Sequence, residues 1–341
     1  MNHNLSTTHA GAIGPQTPSH ASFMLAKFWR RYDQGNLLFL AGVHAAGTVG
    51  AATYIALRGV STAAVVAAVL LAWITIFAIS AGYHRLFAHR TYEAHPVFRV
   101  FLLLFGAGAF QTSALEWAAN HRRHHARTDT DGDPYSVTRG FWHAHVGWVI
   151  AKADLAAPTM ALKDLRADPL LMWQHRHFVP VASLMAFGLP LLVGVLFGDP
   201  LGFLLVAGFA RMVFVYQVTF AINSFAHLFG TQPYSNRDSS RDSLAAALLT
   251  CGEGYHNFHH AFPADYRNGV RLHQFDPTKW ILFTLSKVRL VNGLRRTPAE
   301  VIERARQRMR AVAVQTSHAR SAVALTARVA HVRRPALTPA R

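Results

Sequence analysis

The chain has 341 residues, 51% of them hydrophobic and only 15% charged, where ordinary globular domains carry about 25% charged residues. That balance excludes a disordered chain, and the single cysteine, Cys251, excludes a disulfide-built domain and any Cys-ligated zinc or iron–sulfur centre. The formal net charge is +17 and there are 21 histidines, so a metal site, if present, is built from His, Asp or Glu.

Residues 1–25 are polar and rich in Gly, Pro, Ser and Thr, without the charged-then-apolar form of a cleavable signal peptide. Together with the residues that follow, they read as a disordered or amphipathic N-terminal segment, 1–35. Four apolar stretches come next, at 36–57, 61–80, 178–197 and 201–222. Each is about 20 residues, enough to cross a hydrocarbon layer about 30 Å thick as a helix. Lipid offers no hydrogen-bond partner, so these segments must be helical. The links at 58–60 and 198–200 are short, which pairs the spans into two hairpins. His44 interrupts the first span and Arg211 the fourth; ionisable groups at such depth face protein, and Arg211 reads as a buried structural or site-lining cation. A fifth apolar run, 98–110, has thirteen residues, too few to cross.

The expected fold is therefore all-α and integral to the membrane: four transmembrane helices in two hairpins, with a helical cap. Lys27, Arg30, Arg31 and the Arg-rich middle and C-terminal regions contrast with the nearly uncharged links. The positive-inside rule then puts both termini and the cap on the cytoplasmic side. From Lys287 to Arg341 there are 13 Lys and Arg against two acids, Glu300 and Glu303. Residues 311–341 read as a basic tail able to meet anionic headgroups or an acidic redox partner, and nothing supports nucleic acid. The catalytic domain is expected over 36–310.

Three histidine clusters lie just beyond the span ends: His84 and His89; His121, His124 and His125; His256, His259 and His260. The second and third share the pattern H-x-x-H-H. On a helix, positions i, i+3 and i+4 share one face, so each triplet can aim several imidazoles at one centre. His84 and His89 stand about 140° apart on a regular helix, so they converge only if that helix distorts or ends near Ala88. Imidazole suits iron, copper, zinc or nickel. Eight such ligands exceed the need of one ion, which makes two ions the natural count and fits a closed four-ligand structural zinc site poorly. An even number of crossings separates the first cluster from the third, so both lie on one side, and the second joins them only if 98–110 does not cross. His3, His9, His20, His44, His95, His318 and His331 stand alone and read as ordinary histidines. The acidic run Asp129–Asp133 lacks the glutamate a calcium loop needs at its twelfth position, where Gly140 stands.

The boxes H-x4-H, H-x-x-H-H and H-x-x-H-H, in this order around two hairpins, resemble those of the membrane fatty acyl desaturases, and the wider match is to the acyl-CoA (stearoyl-CoA) Δ9 group. Supporting strings are Ala81-Gly-Tyr-His-Arg-Leu-Phe-Ala-His89, Glu116-Trp117, Gly132-Asp133-Pro134, His145-Val-Gly-Trp148, Asn223-Ser-Phe-Ala-His227-Leu-Phe-Gly230, and Gly252-Glu-Gly-Tyr-His-Asn-Phe-His-His260 before Phe262-Pro263. The resemblance covers about residues 35–310 and implies two Fe2+ ions. One would be held by His84, His89, His121, His125 and His259. The other would be held by His124, His227, His256 and His260, with Asn223 reaching it through water. No catalytic residue is implied beyond these ligands. Glu116, Asp133 and Glu253 are candidates to orient the imidazoles from outside.

For substrate, the resemblance implies a kinked acyl tunnel with Gln111, Trp117, Thr219 and Phe220 near the bend and Ala72 and Ile76 near its end. Phe220 stands where close relatives have tryptophan. Thr112, Ala119 and Asn120 replace residues that help bind the CoA end, so an acyl-lipid or carrier-protein ester stays open beside acyl-CoA. The implied reaction inserts a cis double bond, at Δ9, using O2 and two electrons from a separate donor of the ferredoxin, rubredoxin or cytochrome b5 type. A membrane di-iron hydroxylase of acyl chains or alkanes is the alternative within the same scaffold. A His-rich metal transporter is another, but it would need ligands at mid-membrane.

Overall fold

The computed structural model describes residues 32–152 and 162–332, with side chains of the last helix described as far as Ser317. The expectations for Lys27, Arg30, Arg31, His3, His9 and His20, for the side chains of His318 and His331, and for the chain after Val332 lie outside these residues.

Four helices are long and apolar enough to cross a membrane: α1 (Gln34–Arg58), α2 (Thr62–Ala88), α8 (Phe178–Leu196) and α9 (Pro200–Leu228). Their turns follow from local chemistry. Gly59 takes φ +78 at the end of α1, and the Ser61 hydroxyl caps α2 by accepting from Ala64 N. Gly198 takes φ +72 before Asp199, whose side chain caps α9 ahead of Pro200. Tyr54 donates to Asp199 Oδ1 at 2.5 Å and ties the two hairpins together at that end. Large apolar side chains stand exposed along the spans, including Val65, Val66, Val69 and Leu70 on α2 and Leu191, Leu192, Val195 and Leu196 on α8. Such a belt suits lipid rather than water.

Two spans differ from the sequence expectation in length. α2 runs on to Ala88 and α9 to Leu228, past the points where apolar patterning stops at Ser80 and Ile222. Hydropathy marks where a helix leaves lipid, whereas its hydrogen-bond ladder continues as long as protein covers it. Each span also contains a stretch of π-helix, at Ala46–Gly50, Ile79–Ala88, Leu184–Gly188 and Leu204–Ala210.

Between the hairpins lies the cap. α3 (Pro96–Ala107) has 12 residues, is capped by His95, and buries Phe98, Leu102 and Leu103 in a core shared with Phe77, Ile79 and Tyr83 of α2. It is too short to cross, as its length implied. α4 (Ala114–Arg127) follows, then a helical segment α5 (143–150), short helices α6 (Lys163–Arg166) and α7 (Pro169–Arg176), and after α9 the helices α10 (Leu244–Leu249), α11 (His256–Ala261) and α12 (Pro277–Lys287). Strands β1 (Glu93–Ala94) and β2 (Val291–Asn292) pair antiparallel, fastening the segment after α2 to the end of the cap. α13 (Ala299–Val332) passes through residue 310 without interruption.

Arg211 lies within α9, 3% exposed. It donates to the carbonyls of Ala207, Gly108 and Ala186 and to the Thr75 hydroxyl, at 2.9–3.4 Å. The cation is thus solvated by protein and joins α2, α8, α9 and the end of α3. His44, on α1, likewise finds protein: its Nδ1 faces Leu40 O at 2.8 Å and its Nε2 the Gln217 amide at 3.0 Å. Replacing Arg211 by Leu strips several buried oxygens of their donor. We expect a loss of about 2–4 kcal/mol, read as a melting temperature lowered by several degrees for the detergent-solubilised protein; an unchanged melt would mean these bonds contribute nothing.

Candidate metal centre

Four stretches of backbone supply nine histidines, and each presents them for a local reason. At the end of α2 the π-helical ladder bonds His89 N to His84 O at 3.1 Å. An i→i+5 bond brings the residue five positions on back over the first, which reduces the angular mismatch of a regular helix. α4 starts at Ser113, whose hydroxyl accepts from Glu116 N, and carries His121, His124 and His125 in its last two turns. His227 stands in the last turn of α9, and α11 consists almost wholly of the third box.

The ring nitrogens gather in two groups, His84, His89, His121, His125 and His259 in one and His124, His227, His256 and His260 in the other, with donor atoms within 4.8 Å of one another in each. Each H-x-x-H-H triplet is therefore split between the two groups, with the same partition of rings that the resemblance implies. The i and i+4 members turn to one group and the i+3 member, offset around the helix, turns to the other. His121 and His125 join the five while His124 joins the four; His256 and His260 join the four while His259 joins the five. The two groups meet where the rings of His125 and His260 stack at 4.3 Å.

Within the five, Nε2 atoms approach in pairs: His84 and His259 at 2.9 Å, His89 and His121 at 2.8 Å, His121 and His125 at 3.1 Å, His125 and His259 at 2.8 Å. Within the four, Nε2 of His260 lies 3.3 Å from His124 and 3.2 Å from His256, and His256 lies 3.1 Å from His227.

The outer nitrogens explain which tautomer these rings adopt. Glu253 Oε2 lies 2.7 Å from His84 Nδ1, and Asp133 Oδ1 lies 2.9 Å from His124 Nδ1. Asp238 faces His260 Nδ1 at 3.5 Å, and the Ser239 hydroxyl accepts from His227 Nδ1 at 2.8 Å while donating to Asp129. A proton held at Nδ1 leaves a lone pair at Nε2. Burial first, and then the neighbouring imidazoles, hold His89, His121, His125, His259 and His260 well below the ordinary histidine range, and bring His256 down to about 3. Burial would raise the Glu253 carboxyl, but Arg85 and then His84 keep it far below the usual carboxylate range. Neutral rings with converging lone pairs, backed by anions, fit soft-to-borderline divalent metals.

Of the three acids expected to orient the imidazoles, Asp133 and Glu253 face them and Glu116 does not. Glu116 is exposed at the start of α4, where its carboxylate accepts from Ser113 Oγ, because a Ser-x-x-Glu pair closes a helix N-terminus. Asp129, read as no calcium ligand, instead holds Ser239 behind His227. Asp238 and Ser239 carry no motif of their own in the sequence; the polar run after His227 is the signal that could have found them. Asn257, inside the third box, accepts from Tyr234 N and Ser235 N and donates to Ser235 O and Ser240 O, fixing that same loop. The Gly-Glu-Gly string also has a steric cause. Gly252 has φ +101 and a Cβ there would sit 2.6 Å from Asp276, while one on Gly254 would sit 2.1 Å from Ala247 N.

The expected substrate residues are spread more widely. Trp117 stacks on His121 with centroids 5.0 Å apart. Gln111 sits between Phe110 and Thr112, both at positive φ, with Nε2 buried and no partner among the described residues. Thr219 donates to Val215 O on α9, and Phe220 stacks on Tyr216 at 5.5 Å. Ala72 and Ile76 lie buried in the α2 core. Asn223 stands one turn before His227 on α9.

The Fatty acid desaturase family profile matches residues 61–324. A probable acyl-CoA desaturase of Schizosaccharomyces pombe is 41% identical over 300 residues, covering 85% of this chain and 61% of that protein. Acyl-CoA desaturase 1 of Saccharomyces cerevisiae is 44% identical over 229 residues, 67% of this chain and 45% of that one. A Δ9-fatty-acid desaturase of Caenorhabditis elegans is 38% identical over 232 residues, 66% and 70% of the two chains. The chain thus spans less than two thirds of the length of the two fungal proteins.

The depressed imidazoles predict a pH dependence. Unfolded, each titrates near 6.5; folded, each stays neutral far below that. The unfolded chain therefore binds more protons below pH 6.5, and stability present above that value is lost as pH falls, by up to about 1.4 kcal/mol per pH unit for each imidazole. Melting of the metal-free protein from pH 8 to pH 5 is expected to drop steeply below about 6.5; a flat profile would contradict the buried neutral rings.

Proposed function

The chain belongs to the fatty acid desaturase family, and on that premise we propose that it is an O2-dependent acyl desaturase. It inserts a cis double bond, at Δ9, into a saturated acyl-CoA, with an acyl-lipid ester as the other carrier the altered headgroup positions allow. The observation that carries this reading is the double set of converging imidazoles, five and four rings with ligand nitrogens within 4.8 Å of one another in each. We assign iron to both sets, with His84, His89, His121, His125 and His259 holding one ion and His124, His227, His256 and His260 the other, assisted through water by Asn223. The bound pair supplies the oxidising power that acid–base groups lack against an unactivated methylene.

The chain's own residues do the rest. The acyl chain is positioned along a path lined by Gln111, Trp117, Thr219 and Phe220, with Ala72 and Ile76 limiting its length. Trp117, against His121, gives the chain an apolar surface beside the centre and keeps water from it. Holding two adjacent carbons at one place decides which hydrogens are lost. The overall conversion takes one O2, two electrons and two protons, and yields the alkene and two waters. The electrons come from a separate carrier of the ferredoxin, rubredoxin or cytochrome b5 type, docking on the basic, cytoplasmic face with the termini on the same side.

Expression in a host unable to make unsaturated fatty acids tests the assignment. Gas chromatography of its lipids is expected to show a cis-Δ9 monoene with the wild type and, with His124→Ala, at least a hundredfold less. A hydroxylated acyl chain in place of the alkene would move the protein to the hydroxylases; a double bond elsewhere along the chain would revise the regiochemistry alone.

A further inference from the structure

Resting on the metal-pair reading, we propose that Asp276 and Arg85 are positioning residues for the five-histidine set, acting through Glu253 on His84. Arg85 follows His84 on α2 and is 1% exposed; Asp276 begins α12 and is 0% exposed. Arg85 spends all five of its N–H donors on fixed partners. Nε and Nη2 reach Glu253 Oε1 at 3.0 and 2.8 Å. Nη1 reaches Tyr266 O at 2.7 Å and Asp276 Oδ2 at 3.2 Å, and Nη2 reaches Asp276 Oδ1 at 3.0 Å.

Asp276 is held in turn by the backbone N–H groups of Asn268, Gly269 and Lys279 at 2.8–3.0 Å. Asn268 closes the loop by donating to Glu253 Oε2 at 2.6 Å, the same oxygen that faces His84 Nδ1. The order is therefore Asp276, Arg85, Glu253, His84, each step a charged or charge-assisted contact in a buried setting. A guanidinium fork gripped on both sides has one orientation, which gives Glu253 one orientation and His84 one ring plane. In the other set His124, His227 and His260 turn their outer nitrogens to different acceptors, Asp133, Ser239 and Asp238. The consequence is selectivity: weakening the Asp276 end should loosen one ion and spare the other.

In Asp276→Asn the new amide N–H groups oppose donors of Arg85 or of the 268–269 backbone, and the fork loses its second anion. The test uses the full chain in detergent, loaded anaerobically with Fe2+, with iron per chain and the Mössbauer spectrum as readouts. The wild type is expected to hold two ions. Asp276→Asn is expected to hold about one, with binding of the lost ion weakened at least tenfold and the remaining spectral component unchanged. Arg85→Lys, which keeps the charge but not the fork, probes the same chain from its middle and is expected to give the same one-ion state. Two ions with an unaltered spectrum in both variants would overturn the proposal. Parallel loss of both ions with a lowered melt would do so too, by reducing the network to general support. A wild type that takes up no iron would instead overturn the metal-pair reading itself.

Discussion

Nine imidazole nitrogens pointing their lone pairs at two small volumes are the constraint on which the rest of the structure depends. Without a proton or a cation between them, nitrogens 2.8–3.3 Å apart repel. Holding them there calls for a rigid frame, and for outer partners that keep protons on the far side of the rings they face. Both requirements are visible. Carboxylates of Glu253, Asp133 and Asp238 and the Ser239 hydroxyl stand behind the rings.

The frame also explains why the spans exceed what lipid demands. α2 and α9 continue past the apolar stretch because their last turns carry His84, His89 and His227 into the cap. The π-helical end of α2 brings two histidines five residues apart onto one face, a use of an irregular ladder that a regular helix could not supply. Splitting each triplet between the two groups follows from the same angular logic. Residues four apart align, and the one between them points aside, so two short helices facing each other can serve two centres with six rings.

Two buried arginines show how differently a cation can be accommodated. Arg211 lies among the spans and is satisfied by carbonyl and hydroxyl oxygens, so it acts as a cross-brace that carries no carboxylate into the apolar layer. Arg85 lies where α2 enters the cap and is gripped between two carboxylates. The first serves the packing of the hairpins. The second lies next to His84 in sequence and is coupled to it in space through Glu253. Gly252 belongs to the same arrangement, because only a residue without Cβ lets the loop bearing Glu253 pass so close to Asp276.

Much was legible in the chain itself. Apolar length gave four spans, the short 98–110 run gave a helix that stays in the cap, and the spacing of eight histidines called for two ions, because hydropathy and helical periodicity are local properties written in consecutive residues. His227 was visible only through family resemblance, since a lone histidine carries no pattern. The partition of the rings into two groups was likewise visible only through the resemblance, and the tertiary structure alone decided that α2 solves its angular problem as a π-helix, that Glu116 caps a helix instead of backing a histidine, and that Ser239 and Asp238 stand behind His227 and His260. These depend on contacts between residues far apart in sequence, whose energy lies in burial and in hydrogen bonds that no single segment can form.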